Sequence, residues 1–146
     1  MAAGAREIAA YMGSRGPLGS AAIWSPWMED SFPLMLGHQA AWGSRYPFVW
    51  FLPALYRGQI MGSGPVTCRR EAEMPSIERE LVTTVAEDLQ KHRPGLVFVR
   101  KPGSRDLLRI PILACFSQVE AFRREFAAYR PLVDLEHFQV FRRTTT

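Results

Sequence analysis

Only two cysteines, Cys68 and Cys115, occur in the 146-residue chain. Neither belongs to a CxxC pair or to any other spacing that gathers metal ligands, which excludes a cysteine zinc site and a thioredoxin-like redox motif. A lone cysteine behaves mainly as a small hydrophobe. The sequence therefore predicts two buried free thiols, with a disulfide open to the chain in an oxidising compartment. Histidine is almost as scarce. His38, His92 and His137 show no HxH or HExxH spacing that would place two rings on one face, so neither a metal nor a cofactor is expected. Lysine is nearly missing too, with two among the eighteen basic residues. The arginines run from Arg6 to Arg143 without gathering into a stripe, so the formal charge of +4 does not mark a nucleic-acid surface.

Long apolar runs are also absent. Met1 to Ala10 lacks the apolar core of a signal peptide. Tyr46 to Tyr56, the longest aromatic-apolar stretch, is about half the length needed to cross a bilayer and carries Pro47 and Pro53. No GxSxG elbow, phosphate-binding GxxxxGK[ST] loop or paired cysteine and histidine is present. The GxG at Gly62 to Gly64 lacks the third glycine and the flanking strand and helix of a dinucleotide fingerprint, and reads as a turn.

What is present is the composition of an ordinary globular domain, 47% hydrophobic and 22% charged, at a length suited to one α/β domain over 1–146. Ala2 to Met12 predicts a short helix, and Ala21 to Trp24 a buried strand closed by Ser25-Pro26. A brief helical turn follows at Phe32 to Leu36, with a second strand at Ala40 to Trp42. Tyr46 to Leu52 is β-prone but bracketed by prolines, which suggests an irregular or edge segment. Gly58 to Pro75 reads as a flexible connection.

Ser76 is placed to cap a helix whose stripe is Ile77, Leu81, Val85 and Leu89, widened by Val82 and stopped by Pro94-Gly95. Leu96-Val97-Phe98-Val99 is an unbroken apolar run, as expected of a strand covered on both faces. Leu107 to Phe116 suggests a helix kinked at Pro111. Val119, Phe122, Phe126 and Tyr129 form a second helical stripe ended by Pro131, and a terminal hairpin turns at Glu136-His137. Together these predict an α/β fold with a small mixed sheet and flanking helices, in two or three layers.

Two groups of residues are candidates for function. Ser25, Trp27, Glu29, Asp30 and Ser31 follow a strand, where open α/β sheets bind ligands, although Asp30 or Ser31 also suits a helix cap. A carboxylate pair at Glu29 and Asp30 needs one raised pKa to act as acid and base, and an exposed loop supplies no cause for it. Arg45, Tyr46, Trp50, Phe51, Tyr56 and Arg57 form an aromatic and cationic group suited to a membrane surface, a partner segment or stacked bases, with core packing as the alternative.

Several segments carry a resemblance: Ser31-Phe32-Pro33-Leu34, Trp42 to Pro47 with Trp50, Leu52 to Tyr56, Asp88-Leu89 with His92-Arg93-Pro94, Phe122 to Tyr129, and Val140-Phe141-Arg142. Together they resemble the C-terminal soluble part of bacterial polytopic membrane proteins related to glycosyltransferases that use lipid-linked sugars. The resemblance implies an extracytoplasmic α/β domain beside a membrane-embedded segment. In that family the catalytic acids lie in loops among the membrane helices, and nothing here matches those loops, so no catalytic residue carries over. Three readings follow: a non-catalytic accessory or binding domain of such a protein, a small stand-alone enzyme with its site at 25–31, and a basic nucleic-acid-binding module. Outside the resemblance, a cytoplasmic location is the default.

Overall fold

The computed structural model describes residues 3–14, 19–31, 41–44, 46, 49–103 and 109–144. Five strands form one mixed sheet: β1 (Ser20–Trp24), β2 (Ala41–Trp42), β3 (Leu96–Arg100), β4 (Tyr129–Asp134) and β5 (Phe138–Arg143), in the order β2-β1-β3-β5-β4. β1 is parallel to β2 and β3, with Ala22 opposite Val97 and Trp24 opposite Val99. β5 is antiparallel to β3 and β4. The hairpin needs only a short turn, whereas the parallel strands require the long crossovers that carry the helices.

Side chains alternate across the sheet, and each face has its own cover. On one face Ala21, Ile23, Phe98 and Val140 pack against Ile8, Tyr11 and Met12 of α1 (Ala3–Gly13). On the other, Ala22, Trp24, Val97, Val99 and Phe141 meet a second set of helices. These are α2 (Phe51–Leu55), α3 (Arg57–Ile60), α4 (Ser76–His92), α5 (Ile112–Phe116) and α6 (Glu120–Phe126). The result is the expected α/β class in three layers. Trp24 anchors the larger core, its ring 5.5 Å from those of both Phe116 and Phe122.

Several expectations are corrected in detail. The buried face of α4 is Val82, Val85, Ala86 and Leu89, together with Glu78 and Asp88. Leu81 is half-buried and Ile77 is 53% exposed. Glu78 is held inward by buried polar partners described below, and adjacent helix positions are about 100° apart, so Ile77 turns outward. Ser76 is the first helical residue rather than the cap, and Pro75 occupies the capping position with its fixed φ. α6 ends at Phe126, and Pro131 lies in edge strand β4 beside an irregularity in pairing, where its missing N–H breaks no central ladder. The turn expected at Phe32 to Leu36 lies outside the described residues.

α4 ends on Arg93, a left-handed residue with φ 45° and ψ 55° that donates its N–H to the carbonyl of Leu89. Glycine adopts that conformation without the clash that Cβ makes with the following carbonyl. Arg93→Gly should therefore raise stability by up to about 1 kcal/mol, after the greater freedom of glycine in the unfolded chain is deducted. A urea midpoint equal to or below that of the unsubstituted chain would show that the arginine side chain contributes more than its backbone costs.

The stretch 58–75, expected as a flexible connection, is anchored along its length. The Gln59 side chain donates to the carbonyl of Thr67 (3.0 Å) and accepts the Thr67 N–H (2.7 Å). The Arg109 guanidinium donates to the carbonyls of Gly64 (2.8 Å), Gly62 (3.2 Å) and Ile60. Glu71 accepts the Glu120 N–H at 2.8 Å, at the start of α6. Cys68 and Cys115 are joined in a disulfide with their Cα atoms 4.9 Å apart, which corrects the expectation of free thiols. The two positions are 47 residues apart and meet through the tertiary fold, a proximity that spacing does not encode.

Candidate functional site

β1 and β3 are parallel neighbours, so Ser25 and Arg100 stand together at the same end of the sheet. β1 pairs with β2 on one side and β3 on the other, and the chain changes direction across the sheet at this point. In α/β proteins that is where a crevice opens for ligands. Here the crevice is filled from within. The Ser25 hydroxyl donates to Asp30 Oδ2 at 2.6 Å, and Arg100 Nη1 donates to the same oxygen at 3.2 Å. Ser25 Oγ also accepts the Trp27 N–H at 3.0 Å, and the Ser25 carbonyl accepts the Val49 N–H at 3.0 Å.

Gly4, in the first turn of α1, closes the cluster from above: a Cβ there would collide with Arg100 Nη1 and the Asp30 carboxylate. The absence of a side chain at position 4 thus lets the positive end of α1 rest on the carboxylate.

Ser25, Asp30 and Ser31 are at most 2% exposed. Burial pushes the Asp30 carboxyl above its ordinary 3.8, against the opposing pull of the Ser25 hydroxyl and Arg100. The cause that an exposed loop would not supply is present after all. The sign follows directly: Asp30 binds its proton more tightly folded than unfolded, so its contribution to stability falls as pH rises from 3.8 through the raised value.

A buried carboxylate accepting a serine proton is formally a base beside a nucleophile. A nucleophile must nevertheless reach a substrate, and this hydroxyl is sealed and already engaged on both sides. The cluster ties α1, β1 and β3 together. The Trp27 and Glu29 side chains make no hydrogen bond within it; Trp27 is half-buried and contributes its backbone N–H, and Glu29 is exposed. The Ser31 hydroxyl is buried and has no hydrogen-bond partner among the described residues. A cleft of about 340 Å³ does open beside the cluster, between β3 and α5, with Val99, Arg100, Ile112, Leu113, Ser117 and Gln139 in its walls. None of residues 25–31 lines it.

The aromatic group divides. Phe51 and Tyr56 are 1% and 0% exposed, which removes them from any surface. Phe51 stacks near Phe116 at 6.4 Å and receives the edge of Tyr46 at 5.5 Å, because α2 packs its apolar side on the Trp24 core. Trp50 is half exposed, Tyr46 is half-buried and Arg57 is exposed. Arg45 lies outside the described residues.

A second buried polar cluster has no counterpart in the sequence reading. The Tyr56 hydroxyl donates to Glu78 Oε2 at 2.8 Å and accepts the Arg69 N–H at 3.2 Å. Arg69 Nη1 donates to Glu78 Oε1 at 2.8 Å, and its Nη2 donates to the Leu55 carbonyl at 2.9 Å. The guanidinium lies 4.4 Å above the Tyr56 ring. Burial, with the Glu78 carboxylate beside it, pushes the Tyr56 hydroxyl up to about 12. Glu78, in register with Val82, Val85 and Leu89 of the helical stripe, is the one available signal.

No helix among the described residues is long and apolar enough to cross a membrane. No family model, curated protein or solved structure matches the chain.

Proposed function

We propose that this chain is a non-catalytic accessory domain acting on the extracytoplasmic side of a bacterial membrane, beside a membrane-embedded glycosyltransferase-like segment. The observation that carries this reading is the Cys68–Cys115 disulfide. Such bonds persist in oxidising compartments and are rare where thioredoxin and glutathione keep thiols reduced. The engagement of Ser25, Asp30 and Arg100 with one another supports a structural rather than catalytic use of the segment that follows β1. With Phe51 and Tyr56 in the core, the face turned to membrane or partner reduces to Trp50 and Arg57, flanked by Tyr46, residues whose amphipathic side chains tolerate that boundary.

The test is thiol trapping in intact cells of the native host. Cells are quenched in acid, free thiols are blocked, and the protein is then reduced and tagged by mass. Both cysteines should shift as an oxidised pair. Recovery of Cys68 and Cys115 as free thiols would remove the extracytoplasmic reading. In parallel, Trp50→Ser should leave the circular dichroism spectrum unchanged and weaken binding to liposomes; undiminished binding would remove Trp50 from the contact face.

A further inference from the structure

The outer face of α1 meets the β4–β5 turn through three side chains that play no part in the core. Glu7 projects from α1, and Glu136 and His137 form the turn, so residues some 130 positions apart converge. The His137 Nδ1 lies 2.6 Å from Glu7 Oε2. The backbone N–H of His137 donates to both Glu7 oxygens, at 2.9 and 3.1 Å. One ligating atom from each of Glu7, Glu136 and His137 falls within 4.8 Å of the other two.

We infer that Glu7, Glu136 and His137 form a binding site for one divalent first-row cation of the zinc class.

The chemistry of the donors argues for it. One imidazole nitrogen and two carboxylates are a borderline nitrogen and oxygen set, suited to zinc and its first-row neighbours; the imidazole disfavours calcium and magnesium, which take oxygen ligands. Two carboxylates beside one imidazole leave net negative charge even when the ring is protonated, and a dication matches that charge. The site is also oriented in advance. The His137 N–H holds the Glu7 carboxylate in place, as outer hydrogen bonds do for ligands in metal sites, and Glu7 is only 15% exposed while His137 is 28% exposed. Glu136 is exposed and free to swing in as the third ligand. A tetrahedral ion with bonds of about 2.0–2.1 Å sets its ligand atoms roughly 3.3 Å apart. Binding therefore needs the close Nδ1 and Oε2 contact to open by less than an ångström as the cation takes the place of that contact. Solvent completes the fourth position.

The experiment uses the full chain with its disulfide intact and without a histidine tag. Zinc chloride is titrated by calorimetry, and thermal unfolding is followed with zinc, with calcium, and with chelator. Saturable binding of one zinc per chain is expected, with Tm raised by about 8 °C when free metal exceeds Kd a hundredfold, and no response to calcium. Glu136→Gln lies on an exposed turn residue and should fold normally while losing at least about tenfold in zinc affinity. His137→Ala should abolish binding, and His92→Ala should leave it unchanged. Absence of saturable zinc binding below millimolar concentration overturns the site. Retention of full affinity by both Glu136→Gln and His137→Ala overturns it equally, since the metal would then sit elsewhere.

Discussion

Replacing Cys68 and Cys115 by alanine together should lower the free energy of unfolding by about 4 kcal/mol, the loop-closure value for a separation of 47 residues. The bridge acts chiefly on the unfolded chain, whose freedom it restricts, and it joins the 58–75 stretch to α5 in the folded one. Equilibrium urea unfolding of the oxidised chain, the same chain in reductant, and the double variant measures it. The reduced chain and the variant should agree with each other. Limited proteolysis should also cut the variant first between 58 and 75, because only non-covalent contacts, those of Gln59, Arg69, Arg109 and Glu71 among them, then hold that stretch. A loss below about 1 kcal/mol would mean that unfolded-state structure already keeps the two ends close.

Glu78→Ala should cost about 3 kcal/mol, at the lower end of the range for breaking a buried ion pair from one side. The carboxylate is 1% exposed and serves both Tyr56 and Arg69, so its removal leaves a buried hydroxyl and a guanidinium without their acceptor. The lower end applies because Arg69 remains 29% exposed and can recover water. Glu78→Gln, which keeps an oxygen for the Tyr56 hydroxyl, should cost less. A cycle with Tyr56→Phe separates the hydroxyl from the charge, and a Glu78→Ala loss under 1 kcal/mol would show that the carboxylate desolvation already cancels its attractions.

Legibility in the sequence followed the range of the interaction. The run Leu96 to Val99 was readable as a strand buried on both faces because alternation is local, and the structure divides it as expected, Leu96 and Phe98 on one side, Val97 and Val99 on the other. The Ser25 to Ser31 segment stands out in the sequence because it follows a strand. Its meaning was not readable, since the partner Arg100 is 70 residues from Asp30 and the lid, Gly4, carries no side chain to attract notice. Phe51 and Tyr56 looked like surface because a short chain has little interior. The aromatic groups of α5 and α6, distant in sequence, supply the interior that takes Phe51 in. Ile77 and Glu78 reversed roles for the same reason: periodicity places a stripe to within one residue, and a buried charge pair decides which neighbour turns inward.

The position of β5 has a consequence for the order in which this domain can be assembled. β5 follows β4 in sequence, yet it lies between β3 and β4, and Phe138, Val140 and Phe141 serve both cores. A growing or translocating chain therefore reaches residue 137 with β3 lacking one of its two neighbours and with apolar surface open on both sides of the sheet. Residues 138–143 add an inner strand of the sheet rather than its edge. Until they emerge, the half-built sheet presents a hydrogen-bonding edge to whatever stands beside it, and a chaperone or an adjoining segment of protein is the natural guardian of that interval.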